Sequence, residues 1–149
     1  MTLRNKALMK NIEQVGYHDL QKRPAFQIVM QKCGEKYYLY CASWRHNGWS
    51  ILDVTDPTNP KMIQFKEGPW INEDCHDGQN TCKIQVADGL MLTAHGTMAG
   101  FLTGCPEGCP AWCGLMVWDV KTDPTDPKLL GTFECPGGQG VHRSFYNGG

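Results

Sequence analysis

One stretch of the chain is written twice. Residues 48–65 read GWSILDVTDPTNPKMIQF, and residues 114–133 read GLMVWDVKTDPTDPKLLGTF. Each copy runs from a glycine through an apolar segment to Asp-Val, a D-P-T-[ND]-P turn, a lysine and a second apolar segment. A repeat with a period of tens of residues constrains the fold strongly, because one unit cannot bury its apolar face alone and must stack on another. The copies lie about 66 positions apart, from Asp53 to Asp119. Part of that distance is an insertion. The segment YYLYCASWRHNGW before the first copy corresponds to LMLTAHGTMAGFLTGCPEGCPAWCGL before the second, with Cys41-Ala42-Ser43 matching Thr93-Ala94-His95. Without the Gly/Pro/Cys-rich extension the unit is roughly 50 residues, near the length of a propeller blade.

Every apolar run is short and bounded by turn residues, which is the pattern of strands rather than helices. The pattern predicts strands at 26–30, 37–42, 49–54 and 62–65 in the first unit. In the second they fall at 82–86, 90–94, 115–120 and 129–133. Gly34 and Asp88-Gly89 supply the positive φ of tight hairpins. Asp56-Pro57 and Asp123-Pro124 favour turns, because proline fixes φ and removes a ladder donor. The expected fold is all-β: a propeller of four-stranded antiparallel blades, here an incomplete ring of two blades plus the start of a third. Blade one covers about 17–66, after an N-terminal arm at 1–16. Blade two covers about 75–135, with a Cys-rich insertion at 97–113. Residues 141–149 are expected to open blade three, with a strand at 141–146 and a turn at Asn147-Gly148-Gly149. An open ring leaves an exposed sheet edge, so a chain completing the propeller is an expected partner. A small two-sheet β domain is the alternative.

The net charge is −1, and no basic or acidic block points to nucleic acid. Mean hydropathy is −0.41 and no run reaches the length of a membrane span. Residues 1–16 are polar and lack an apolar signal core, which gives a cytoplasmic reading. Eight cysteines sit uneasily with that compartment. Cys75 and Cys82 are close enough in sequence to bridge. Cys105, Cys109 and Cys113 admit a disulfide, buried thiols or a local metal site. The pairing of Cys33, Cys41 and Cys135 stays open.

The histidines fall near blade landmarks. His18, His76 and His142 lie at the expected entries to successive units, the first two in His-Asp pairs; His46 and His95 follow second strands. Equivalent positions of successive blades point toward one axis, so His18, His76, His95 and His142 are candidate ligands for a divalent transition metal: zinc, copper, iron or manganese. Asp19 and Asp77 would orient the rings. Equally, a His-Asp pair before a strand can serve only to satisfy a turn. Arg45 and Arg143 each neighbour a histidine and are candidates for binding an anionic substrate group. The five tryptophans suit packing between sheets. Asp53 and Asp119 suit turn acceptors.

The segment YLYCASWRHNGWSILDVTDPTNPKMI resembles the LVIVD repeat, whose core reads Gly-Leu-x-Ile-Val-Asp-Val-Ser-x-Pro-x-x-Pro between two strands. The matching positions are 48–60 and 114–127, and the resemblance extends over most of 15–149. It implies a propeller. That family is similar in outline to the selenium-binding protein and methanethiol oxidase propellers, where channel histidines are associated with a metal centre; the analogy implies the same of His18, His76, His95 and His142. Two functions follow as expectations. One is a propeller enzyme with an axial, histidine-held metal, acting on a small molecule by oxidation, hydrolysis or lyase chemistry. The other is a non-catalytic propeller segment that serves as a binding or assembly module.

Overall fold

The computed structural model describes residues 10–69, 79–97 and 112–149. Among the described residues, eight strands form two antiparallel four-stranded sheets. Sheet 1 is β1 (Ala25–Cys33), β2 (Lys36–Ser43), β3 (Gly48–Asp53) and β4 (Lys61–Glu67); sheet 2 is β5 (Asn80–Ala87), β6 (Leu90–Gly96), β7 (Gly114–Asp119) and β8 (Lys128–Glu134). Each sheet is a simple meander in which sequence neighbours are ladder neighbours. All eight strands overlap the expected apolar runs; most are extended by one to three residues at one or both ends, whereas β3 and β7 begin one residue earlier and end one residue earlier than expected.

The ladders show that the repeat is structural. Tyr38 pairs with Asp53, and Leu90 pairs with Asp119. The first strand of each sheet breaks register near its start, between Ala25 and Ile28 and between Thr81 and Lys83. The third strand breaks register between Ile51 and Leu52 in sheet 1 and between Val117 and Trp118 in sheet 2. These are corresponding positions. A bulge bends a strand and sharpens its twist, so the two sheets share a curvature as well as a topology.

Turn chemistry explains the connections. Asp88 and Gly89 have φ of 53° and 77°, a conformation that suits a two-residue hairpin and excludes most residues from the second position. After β3, Asp53 Oδ1 accepts from Thr55 N at 2.9 Å; after β7, Asp119 Oδ1 accepts from Lys121 N at 2.8 Å. In the D-P-T-x-P turns, Asp56 and Asp123 accept from the backbone and hydroxyl of Thr58 and Thr125. Asp53 and Asp119 are thus turn acceptors, and hydrogen bonds from Thr55 to Asp53 and from the hydroxyl and N–H of Thr122 to Asp119 hold their carboxyls below the usual range.

The core lies between the sheets. Sheet 1 contributes Tyr38, Tyr40, Ala42, Trp49 and Ile51; sheet 2 and the residue after it contribute Ile84, Met91, Met116, Trp118 and Val120. Trp49 meets Trp118 edge-on, with ring centroids 4.6 Å apart. Polar contacts close the rim. Gln27 Oε1 accepts from Ile84 N at 3.3 Å, Gln31 Nε2 donates to Val120 O at 3.3 Å, and Tyr40 Oη donates to Pro124 O at 3.0 Å. Burial pushes the Tyr40 phenol well up, so it stays a donor. Lys66 Nζ reaches Asp126 Oδ1 at 2.7 Å and Pro127 O at 2.9 Å.

Residues 141–149 differ from expectation. They run extended but form no strand, and their ladder is reduced to a single bridge between Gly96 and Gly140. The cysteines separate similarly. Cys33, Cys41, Cys82, Cys113 and Cys135 carry no disulfide; Cys75, Cys105 and Cys109 lie outside the described residues. Burial raises the Cys41 and Cys82 thiols to about 11, which keeps both as small apolar groups.

The joint should depend on its aromatic centre more than on its charged rim. Trp49→Ala is expected to lower stability by about 3–5 kcal/mol. Lys66→Ala, which removes a partly exposed ion pair, is expected to cost about 1 kcal/mol or less. Urea denaturation followed by far-ultraviolet circular dichroism tests the ranking; equal costs would refute it.

Candidate functional site

The expected site residues are distributed rather than gathered. His18 precedes a single turn at Leu20–Lys22 that leads into β1. Its Nδ1 accepts from Leu20 N at 2.9 Å, and Asp19 Oδ1 accepts from Gln21 N at 3.0 Å. Leu20, Gln21 and Lys22 have φ of 52°, 55° and 67°. Three successive L-residues in that region are strained, so both side chains of the His-Asp pair hold a costly turn in place. Only Nε2 of His18 is left for other chemistry. His142 and Arg143 are exposed on the extended segment after Gly140. Arg45 is exposed at the end of β2, with φ 67°, and its N–H donates to Asn80 Oδ1 at 2.8 Å. His76 and Asp77 lie outside the described residues. Among the described residues, no three His, Cys, Asp or Glu side chains converge as a metal-binding group.

His95 is the exception in environment. It sits near the end of β6, 1% exposed, at the joint between the sheets. Its Nε2 lies 2.7 Å from Thr93 Oγ1, and its Nδ1 lies 3.3 Å from Thr81 Oγ1. Trp118 Nε1 donates to the same Thr93 oxygen at 2.9 Å. Thr93 Oγ1 thus accepts from Trp118 and also bonds His95 Nε2, so the neutral ring donates through one nitrogen and accepts through the other between Thr93 and Thr81. The imidazole is flanked edge-on by Trp112 and Trp49, with centroids at 5.7 Å and 6.4 Å. Burial drives its pKa down to about 3, and no carboxylate offsets that desolvation. His95 is therefore a neutral, fully engaged ring.

Around it lies a buried polar cluster that the sequence did not signal. Asn47, Gln79, Asn80 and Thr81 are all buried here. Asn47 Nδ2 donates to Pro69 O, and Gly68 N donates to Asn47 O at 2.9 Å. Asn47 Oδ1 has no hydrogen-bond partner among the described residues. Gly68 passes between Asn47 and His95 so closely that a Cβ there would overlap the Asn47 amide and press on His95 Nδ1. Nothing local marks these residues: Asn47 sits in a loop and Gln79-Asn80 at a strand entry, where polar residues are ordinary.

A second concavity of about 540 Å³ opens where β4 meets the β7–β8 turn. Trp118, Lys66 and the acidic residues Asp119, Asp123 and Asp126 line it. One carboxyl oxygen of each is engaged, Oδ1 of Asp119 and of Asp123 by turn N–H groups and Oδ1 of Asp126 by Lys66.

No protein-family model matches the chain, and no curated protein and no solved structure matches it.

The buried imidazole has a pH consequence. The folded state resists protonating His95 until about pH 3, whereas the unfolded chain takes up the proton near pH 6.5. Stability is therefore full above about pH 6.5 and falls as pH drops toward 3, by up to about 1.4 kcal/mol per pH unit. The turn aspartates act only at lower pH, since their carboxyls are held below 3.8. Urea midpoints between pH 7 and pH 4.5 should decline in the native chain and decline less in His95→Asn; parallel profiles would refute the assignment. Separately, Gly68→Ala is expected to destabilise by about 1–3 kcal/mol through overpacking, read as a lower thermal midpoint.

Proposed function

We propose that this chain is a segment of a β-propeller, two LVIVD-type blades and the opening of a third, and that it works as a non-catalytic binding and assembly module. The observation that carries this reading is the seating of the chain after β8. Residues 139–149 lie along sheet 2 much as β5 lies along sheet 1. The N–H of Arg45, just past β2, bonds Asn80 at the entry to β5; Thr97, at the corresponding position past β6, bonds Gln139 O at 2.9 Å. Val141 N reaches His95 O at 3.3 Å, and Gly149 N reaches Asp88 Oδ2 at 3.0 Å. The segment thus spans sheet 2 from the end of β6 to the β5–β6 turn. The sequence agrees: Gln79 to Gly89 and Gln139 to Gly149 are of equal length, with positive φ at both Asp88 and Gly148.

The histidines support the module over the enzyme. His18 holds a turn, His95 is sealed between two threonines, and His142 is exposed. Each therefore has a structural account or no neighbouring ligand among the described residues. Elemental analysis of the purified chain discriminates the two readings. The module predicts no stoichiometric zinc, copper, iron or manganese, with His18→Ala and His142→Ala keeping the native fold. Stoichiometric metal that is lost in either variant would overturn it and favour the histidine-held metal centre, with Arg45 or Arg143 positioning a small anionic substrate.

A further inference from the structure

The two units correspond one rung beyond their last strand pairs. In the first, Gly68 N donates to Asn47 O at 2.9 Å, just past the Gly48–Glu67 pair. In the second, Cys135 N donates to Cys113 O at 2.8 Å, just past the Gly114–Glu134 pair. Two cysteines therefore stand opposite each other where the first unit holds Asn47 and Gly68. Opposed residues of an antiparallel pair project to one face, with Cβ atoms about 4.5–5.5 Å apart. A disulfide needs about 3.5–4.5 Å, so an approach of about 1 Å joins them.

The first unit shows where these side chains aim. A Cβ built on Gly68 would lie 2.8 Å from Asn47 Cγ, the atom whose place Cys113 Sγ takes in the second unit. The side chain at the later position thus runs directly at the earlier one. In the second unit the chain also folds back over both. Gly138 N donates to Cys135 O at 3.2 Å, and Cys113 Sγ donates to Gly138 O at 3.1 Å. A Cβ built on Gly138 would lie 3.9 Å from Cys135 Cβ, so the two sulfurs share one side of the turn. Cys113 is 6% exposed, whereas Cys135 is only partly buried. A small reagent from solvent therefore meets Cys135 first. Burial holds the Cys113 thiol above its usual range; the Thr97 N–H opposes that rise and the nearby Cys135 sulfur adds to it.

We propose that Cys113 and Cys135 are a thiol-modification site, which a low-molecular-weight disulfide converts to an intrachain disulfide that fixes the seating of residues 139–149. The Cys135 thiolate attacks the reagent, forms a mixed disulfide and releases one thiolate. Cys113 gives its proton to solvent and attacks the Cys135 sulfur, and the second reagent thiolate leaves. Two protein thiols are oxidised, and one reagent disulfide is reduced to two thiols.

The place of the bond gives it a consequence. Oxidation removes the S–H that Gly138 O accepts, but a thiol is a weak donor. In exchange, a covalent tie holds the base of the Cys135–Gly138 turn. That turn delivers Gln139 O to Thr97 N and Val141 N to His95 O. Both amides exchange through local opening of the seated segment, which the tie restrains.

Disulfide mapping of the full chain tests the site. Native chain and a Cys105→Ser/Cys109→Ser variant are reduced, equilibrated with a glutathione redox buffer, alkylated and digested with trypsin. The variant leaves Cys113 as the one thiol of peptide 84–121, and Cys135 is the one thiol of peptide 129–143. A link between these two peptides is expected in the variant, and Cys113→Ser is expected to abolish it in the native background. Oxidation is also expected to slow hydrogen exchange at Thr97 and Val141, with no such change in Cys113→Ser. The proposal is overturned by absence of the link, by pairing of Cys113 with Cys105 or Cys109 in the native chain, or by a link that forms as readily in urea-unfolded protein. Unchanged exchange at Thr97 and Val141 would overturn the effect on the seated segment.

Discussion

The packing of Trp49 against Trp118 is the contact on which the rest of the molecule depends. A four-stranded sheet has two faces and no interior, so neither unit can bury its apolar side chains by itself. Burying about 150–250 Å² per large aromatic ring outweighs any rim hydrogen bond, each of which exchanges one partner for another at a net gain near 1 kcal/mol. The glutamine, tyrosine and lysine contacts around the joint therefore fix its angle and register more than its stability. They also tie the D-P-T-D-P turn of one unit to the last strand of the other, so the turn motif is part of the interface as well as a link between strands.

The same joint decides the chemistry of His95. An imidazole at a strand end would be solvated in a single sheet. Here the second sheet and Trp112 exclude water, and only two threonine hydroxyls replace it. The ring is then a neutral spacer in a line of hydrogen bonds running from Trp118 through Thr93 to Thr81. That arrangement is specific and directional, and it spends the hydrogen-bonding capacity of both ring nitrogens on structure. His18 illustrates the exposed version: with its adjacent aspartate it satisfies the N–H groups of a left-handed turn. The His-Asp pair at a unit entry is here a conformational device.

Much of the fold was legible in the chain. The duplicated segment, its bounding glycines and prolines, and the short apolar runs located all eight strands and both Asp53 and Asp119 as turn acceptors. The tryptophans were readable as inter-sheet packing, as Trp49 and Trp118 prove. The strand at 141–146 was not realised, because strand geometry needs a ladder partner and period alone does not supply one. The Asn47–Gln79–Asn80–Thr81 cluster was illegible for a different reason. Its members come from separate loops and strand entries, and nothing in a polar residue's local sequence states that it will be buried by a distant sheet.

The sequence by itself determined the secondary structure, the turns and the existence of two equivalent units, because these depend on alternation, backbone preference and self-similarity, all of which are local or internal to the chain. Tertiary structure alone decided which face of each sheet forms the joint, which histidine is neutral, and which polar residues are buried around it. Those properties depend on what lies across a gap of several ångströms from a side chain, and that neighbour is set by the stacking of the sheets.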